Sequence, residues 1–138
     1  MSNAPVVSNP DTICAPKSPY SHVARAGDTV YVAGQVGLLV NGELAGLDLA
    51  AQTRQTFANL LAALESEGMG LANVAKFTTY LVDAGDVAEF NAVRGVLFPD
   101  LFPDGTFPPN TLVVIDALAH PDFKVEIEAI AYAAGSGA

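Results

Sequence analysis

The chain has 138 residues, 51% of them apolar and only 15% charged, with 15 acidic against six basic side chains and a formal charge of −9. That length fits one domain with a single core, and the negative field, with no Lys/Arg cluster to offset it, argues against a nucleic-acid partner. Cys14 is the only cysteine, no apolar run approaches a membrane span, and the first residues lack the basic start of a signal peptide, so the expectation is a cytoplasmic protein with no membrane partner.

Residues 1–19 carry Pro5, Pro10, Pro16 and Pro19 and are expected to run extended along the surface, the first ten being set aside. A short strand is expected at Ser21–Arg25, a turn at Ala26-Gly27-Asp28, a strand at Thr29–Ala33 and a hairpin turn at Asn41-Gly42. Leu49, Thr53, Phe57, Leu60, Leu61 and Leu64 recur at helical spacing within 48–67, with Asp48 as N-cap and Gly68 just past the end. The β-branched and aromatic run Val74–Val82 reads as a strand, and Val87, Phe90, Val93 and Leu97 give a second helix over Asp86–Leu97. Residues 98–110, FPDLFPDGTFPPN, read as a packed loop too rich in proline for an element. Strands at Thr111–Ala117 and Val125–Tyr132 finish the chain.

This order predicts an α+β fold, a mixed sheet of five or six strands covered on one face by two helices. The other face is then bare, and a chain this apolar is expected to bury it against copies of itself. The proposed division is an extended N-terminal segment over 1–14, one domain over 15–134 and a tail over 135–138.

Metal binding has little support, since His22 and His120 are far apart and no CxxC or HExxH spacing occurs; no metal and no cofactor are expected. Cys14 reads as an inert thiol, and Gly34 and Gly37 as glycines that let a strand bulge or a backbone approach closely. The sharper signal is KVEIEAIAY. Glu126 and Glu128 share one face of a strand whose continuation is apolar on both sides. They are either a solvated edge pair, a pair held neutral by mutual hydrogen bonding, or acids perturbed by burial that need a partner such as an arginine from another subunit.

SPYSHVARAGDTVYVAGQVG, NGELAG, QTRQTFANLLAALESEGMGLANVAKFTTYLVDAGDVAEFNAV and VEIEAIA, in this order and spacing, resemble the YjgF/YER057c/UK114 or Rid (reactive intermediate deaminase) family from about Ala15 to Ala131. The resemblance implies a chorismate-mutase-like homotrimer with small-molecule clefts at the subunit interfaces. It also implies hydrolysis of 2-imino or enamino acids to 2-keto acids, releasing ammonia. In that reading Glu126 is the catalytic residue that orients and deprotonates water, Tyr20 is the cleft tyrosine, and Gly34 lines the cleft with its backbone. Two family positions depart. Asn110 stands where an arginine grips the substrate carboxylate, and Ala33 stands where a serine is common. Loss of a charge-assisted bidentate contact costs on the order of 3 kcal/mol, about a hundredfold in binding. Among other cations, Arg94 reads as a solvent-side residue of the second helix, and His22 as a surface or interface histidine, or a weak ligand group near the cleft. The expected function is therefore a deaminase-type hydrolase of an imine, enamine or related C–N bond on a substrate other than the usual 2-imino acids. The alternative is a non-catalytic small-molecule-binding or chaperone-like trimer.

Overall fold

The computed structural model describes residues 3–137. Its strands are β1 (Val6–Ser8), β2 (Val23–Ala26), β3 (Thr29–Gln35), β4 (Val74–Leu81), β5 (Asn110–Val114) and β6 (Val125–Tyr132), and its helices are α1 (Leu49–Glu65) and α2 (Val87–Leu101). One six-stranded sheet runs β1-β2-β3-β6-β4-β5, antiparallel throughout except for the parallel β4–β5 pair. The last strand in the chain thus lies in the interior of the sheet. Its period of two sends Val125, Ile127, Ala129 and Ala131 into the core and leaves Glu126, Glu128, Ile130 and Tyr132 on the opposite face.

Helix α1 starts as expected. The Asp48 carboxylate accepts from the Ala51 N–H at 3.0 Å, and the helix closes where the Met69 N–H reaches the Leu64 carbonyl beside Gly68. Its apolar stripe, Phe57, Leu60 and Leu64, packs with Phe90 and Phe98 of α2 over the core face of the sheet. Single 3-10 turns at Leu71–Asn73 and Ala84–Asp86 lead into β4 and α2.

Two expectations change. Helix α2 does not stop at Leu97 but runs through Pro99 to Leu101, so part of the supposed loop is helical. The extra turn puts Phe98 and Phe102 four residues apart, packed edge-on against each other and onto Phe57 and Phe77 respectively. That aromatic burial outweighs one missing hydrogen bond near a helix end. Strand β5 stops at Val114 rather than Ala117, although the Ile115 N–H still reaches the Leu81 carbonyl at 2.8 Å. Val6–Ser8, outside the sequence reading, pairs with β2 as an edge strand.

The uncovered face of the sheet carries a group of exposed apolar side chains beside its two glutamates. Val7, Tyr31, Val113 and Tyr132 are all exposed there, beside half-buried Ile130. On the covered face, Phe57 is 2% exposed and edge-on to both Phe77 and Phe98. Phe57→Ala is expected to cost about 3–5 kcal/mol in urea-induced unfolding at fixed protein concentration.

Candidate functional site

Strand β3 contains an extra residue opposite β6. Val32 pairs with Ala129, but the next register pair is Gln35 with Ile127, so Ala33 and Gly34 bulge out. The bulge leaves Gly34 beneath the Glu126 side chain. A Cβ at Gly34 would lie 2.1 Å from Glu126 Oε2, so only glycine lets the carboxylate rest on the backbone here.

Around this contact lies a cleft of about 520 Å³, within the usual range of small-molecule sites. Tyr20, Gly34 and Glu126, the positions the family resemblance points to, all line it. Among the described residues Glu126 has no hydrogen-bond or ion-pair partner. Burial first, and the Glu128 charge second, raise its pKa above the ordinary carboxylate value. Tyr20 titrates high for a similar reason, chiefly burial, then the charges of Glu126 and Cys14. Glu128, on the same face, is taken by the Tyr80 hydroxyl, which donates to Glu128 Oε1. The two glutamates are therefore neither a mutually bonded pair nor alike. One is bonded, and one is open to the cleft.

His22 is not at the surface; it is 6% exposed. Its Nε2 meets the Cys14 carbonyl at 2.7 Å, so that nitrogen carries the proton, while Nδ1 accepts from Gln35 Nε2 at 3.0 Å. Gln35 Nε2 also donates to the Ala33 carbonyl at 3.1 Å, which fixes the direction of its amide. The imidazole is a clamp between the N-terminal segment and the bulge, with the Tyr20 ring standing edge-on at 5.4 Å.

Helix α1 fixes the other walls through polar side chains. Gln52, fully buried, donates to the Gly46 and Asp122 carbonyls at 3.1 and 2.9 Å and accepts from the Lys124 N–H at 2.9 Å. Asn59 donates to the Val36 and Leu38 carbonyls, both at 2.9 Å, and itself lines the cleft. The first loop follows β3 and the second precedes β6, so one helix positions both banks.

The other predicted residues lie elsewhere. Ala33 faces a shallow depression on the bare side of the sheet, beside Tyr31 and Glu128. Asn110 pairs with Phe77 in register and accepts from Thr79 Oγ1 at 2.8 Å, which places it on the helix-covered face, opposite to Glu126. Arg94 is not on the solvent side. It is half-buried, its guanidinium 4.7 Å from the Phe90 ring centroid and 5.7 Å from that of Phe98, and desolvation lowers its pKa. Arg25 is held by Glu67 at 2.8 Å. Sequence reasoning missed Lys17, Asn59, His120 and Phe123 as cleft residues. The segment that brings Lys17 was read only as extended, and His120 lines the same cleft as His22 although the two are remote in sequence.

Residues 11–133 match the family described as Endoribonuclease L-PSP. A RutC family protein of Pyrococcus horikoshii is 37% identical over 118 residues, covering 85% of this chain and 89% of its own. The 2-iminobutanoate/2-iminopropanoate deaminase of Escherichia coli K12 is 32% identical over 113 residues, 82% of this chain and 86% of that one. The crystal structure of RidA from an Antarctic Psychrobacter superposes with a TM-score of 0.81 at 33% identity, covering 92% of this chain and 98% of its own.

A raised carboxyl pKa means that the folded chain binds the Glu126 proton more tightly than the unfolded chain does. The corresponding stability is full below the ordinary value near 4.5 and is lost as pH rises through the raised folded value. Glu126→Gln is therefore expected to raise the thermal midpoint at neutral pH. Scans repeated below pH 4.5 should show that gain vanish.

Proposed function

The chain belongs to the Endoribonuclease L-PSP family, also called YjgF/RutC/Rid, and on that premise we propose that its cleft hydrolyses the C=N bond of an imine, or of an enamine once it has taken a proton at carbon and become the imine, releasing ammonia. The observation that carries this reading is the half-buried Glu126 carboxylate, unpartnered, seated on Gly34 and raised in pKa. A carboxylate with raised affinity for protons is a better base at neutral pH than a solvated one. It takes a proton from water as the oxygen attacks the iminium carbon, forming a tetrahedral carbinolamine. The same proton then passes to the amine nitrogen, Glu126 takes the hydroxyl proton of the carbinolamine as the C–N bond breaks, and ammonia leaves as ammonium once it takes up that proton, with a carbonyl product behind and the carboxylate restored. Tyr20 and the Gly34 backbone hold the reacting group against Glu126.

Among the described residues, this chain contributes no arginine to the cleft lining. This supports a substrate other than the usual 2-imino acids, because their carboxylate adjoins the reacting carbon and the family grips it with a guanidinium. A purely binding trimer is the second reading, favoured by Asn110 and Ala33 at the two departing positions. A ribonuclease reading is opposed by the charge of −9 and by His22, whose two ring nitrogens are already committed.

We propose further that the bare sheet face assembles three copies, with clefts completed at their interfaces. The Asn110 carboxamide oxygen is held by Thr79, which leaves its NH2 group without a partner among the described residues. Asn110 opens β5 at the edge of the sheet, so Asn110 of the partner subunit is the copy suited to reach a cleft. Ile130→Asp, a charge on that face, is expected to convert the trimer to smaller species in sedimentation velocity, with the far-ultraviolet circular dichroism retained.

The activity is tested by ammonia release from imines generated in situ, by an amine oxidase from neutral and carboxylate-bearing amines and by an amino-acid oxidase from amino acids. Wild type should accelerate release, and Glu126→Gln should lose about a hundredfold or more. Wild-type rates should fall in acid as Glu126 protonates. Glu128→Gln removes the neighbouring negative charge and should move that acid limb to lower pH. Silence of wild type across the panel would leave the binding protein as the function.

A further inference from the structure

The cleft has a second end. Cys14 and Lys17 come from the N-terminal segment and lie over Gly42 in the loop after β3, where a Cβ would stand 3.0 Å from Lys17 Nζ and 3.7 Å from Cys14 Sγ. Gly42 sits at φ +88°, so glycine serves both the turn and the space beneath the ammonium. Among the described residues Lys17 makes no ion pair or hydrogen bond, in a chain where acids outnumber bases 15 to six. Among the described residues it is the only Lys or Arg of this chain lining the cleft. Glu126, seated on Gly34, does not neutralise it. Asp122 also lines the cleft but leans towards His120, its Oδ2 4.0 Å from the imidazole Nδ1.

Building on the hydrolase reading above, we propose that Lys17 binds a substrate carboxylate remote from the reacting carbon, so that the substrate is an imine or enamine with its acid group at the far end of the molecule. One ammonium on an exposed stem balances one charge, which suits a carboxylate better than a phosphate dianion in so acidic a chain. An acid group adjoining the C=N carbon would instead be pressed against Glu126 and repelled. The cleft volume of about 520 Å³ accommodates a chain between the two ends. Tyr20 lines the same cleft.

Cys14 supplies a reporter that does not depend on turnover, and so separates failure of this assignment from failure of the hydrolase reading. Alkylation of the intact protein by iodoacetate, a carboxylate, and by iodoacetamide, its neutral isostere, is followed by mass spectrometry at low salt. Any change in thiol reactivity cancels in the ratio of the two rates. Relative to a free thiol, the iodoacetate-to-iodoacetamide ratio should be raised about fivefold or more in wild type. It should collapse towards the free-thiol value in Lys17→Gln and remain high in Lys17→Arg. A ratio unchanged by Lys17→Gln, or one raised equally in all three proteins, would overturn the assignment.

Discussion

Everything in the cleft depends on where helix α1 puts its polar side chains. Gln52 and Asn59 are buried, yet they do not face the apolar core. They reach sideways to the backbone of two loops distant in sequence, one after β3 and one before β6. A buried amide left without partners costs about 1–3 kcal/mol, so each loop is held in the geometry that satisfies it. The aromatic and aliphatic stripe of the same helix meanwhile anchors it to the sheet. Packing fixes the helix, and the helix fixes the cleft.

The sheet contributes a division of labour along one strand. Because β6 is interior and covered on one side only, its odd positions from Val125 to Ala131 are core while its glutamates are not. Two acids on one face then diverge through neighbours alone. Tyr80, opposite Glu126 in register, donates instead to Glu128 and leaves Glu126 free. The β3 bulge supplies the small residue that lets this free acid approach a peptide plane. Pairing register, bulge and tyrosine together leave one acid engaged and one acid open to the cleft.

Most of the framework was legible because it is periodic. The Asp48 cap, the stripe of α1, and the alternation of β4 and β6 all specify themselves within a few residues. The misreadings share a cause, long-range contact. Pro99 looked like the end of α2 because the burial of Phe98 and Phe102 that sustains the helix is decided by Phe57 and Phe77, far away in sequence. His22 looked superficial because its partners, Cys14 and Gln35, lie on other segments. In the site, Tyr20, Gly34 and Glu126 were found through family resemblance and converge on one cleft. Lys17 and His120 carry no local pattern that would mark them, and Asn110 lies on the other face of its own sheet.

The N-terminal segment ends as more than an extended approach to the fold. Strand β1 zips to β2, Ile13 enters the core at 4% exposure, Asn9 Oδ1 accepts the His22 N–H at 2.9 Å, and the His22 ring grips the Cys14 carbonyl. The stretch that carries Cys14, Lys17 and Tyr20 is thus a strap buckled at both ends across the mouth of the cleft. Its outer buckle is a three-residue edge strand, the weakest pairing in the sheet to peel. Whatever is joined to the front of this chain, a purification handle or a neighbouring protein in a fusion, therefore pulls directly on the wall of the cleft.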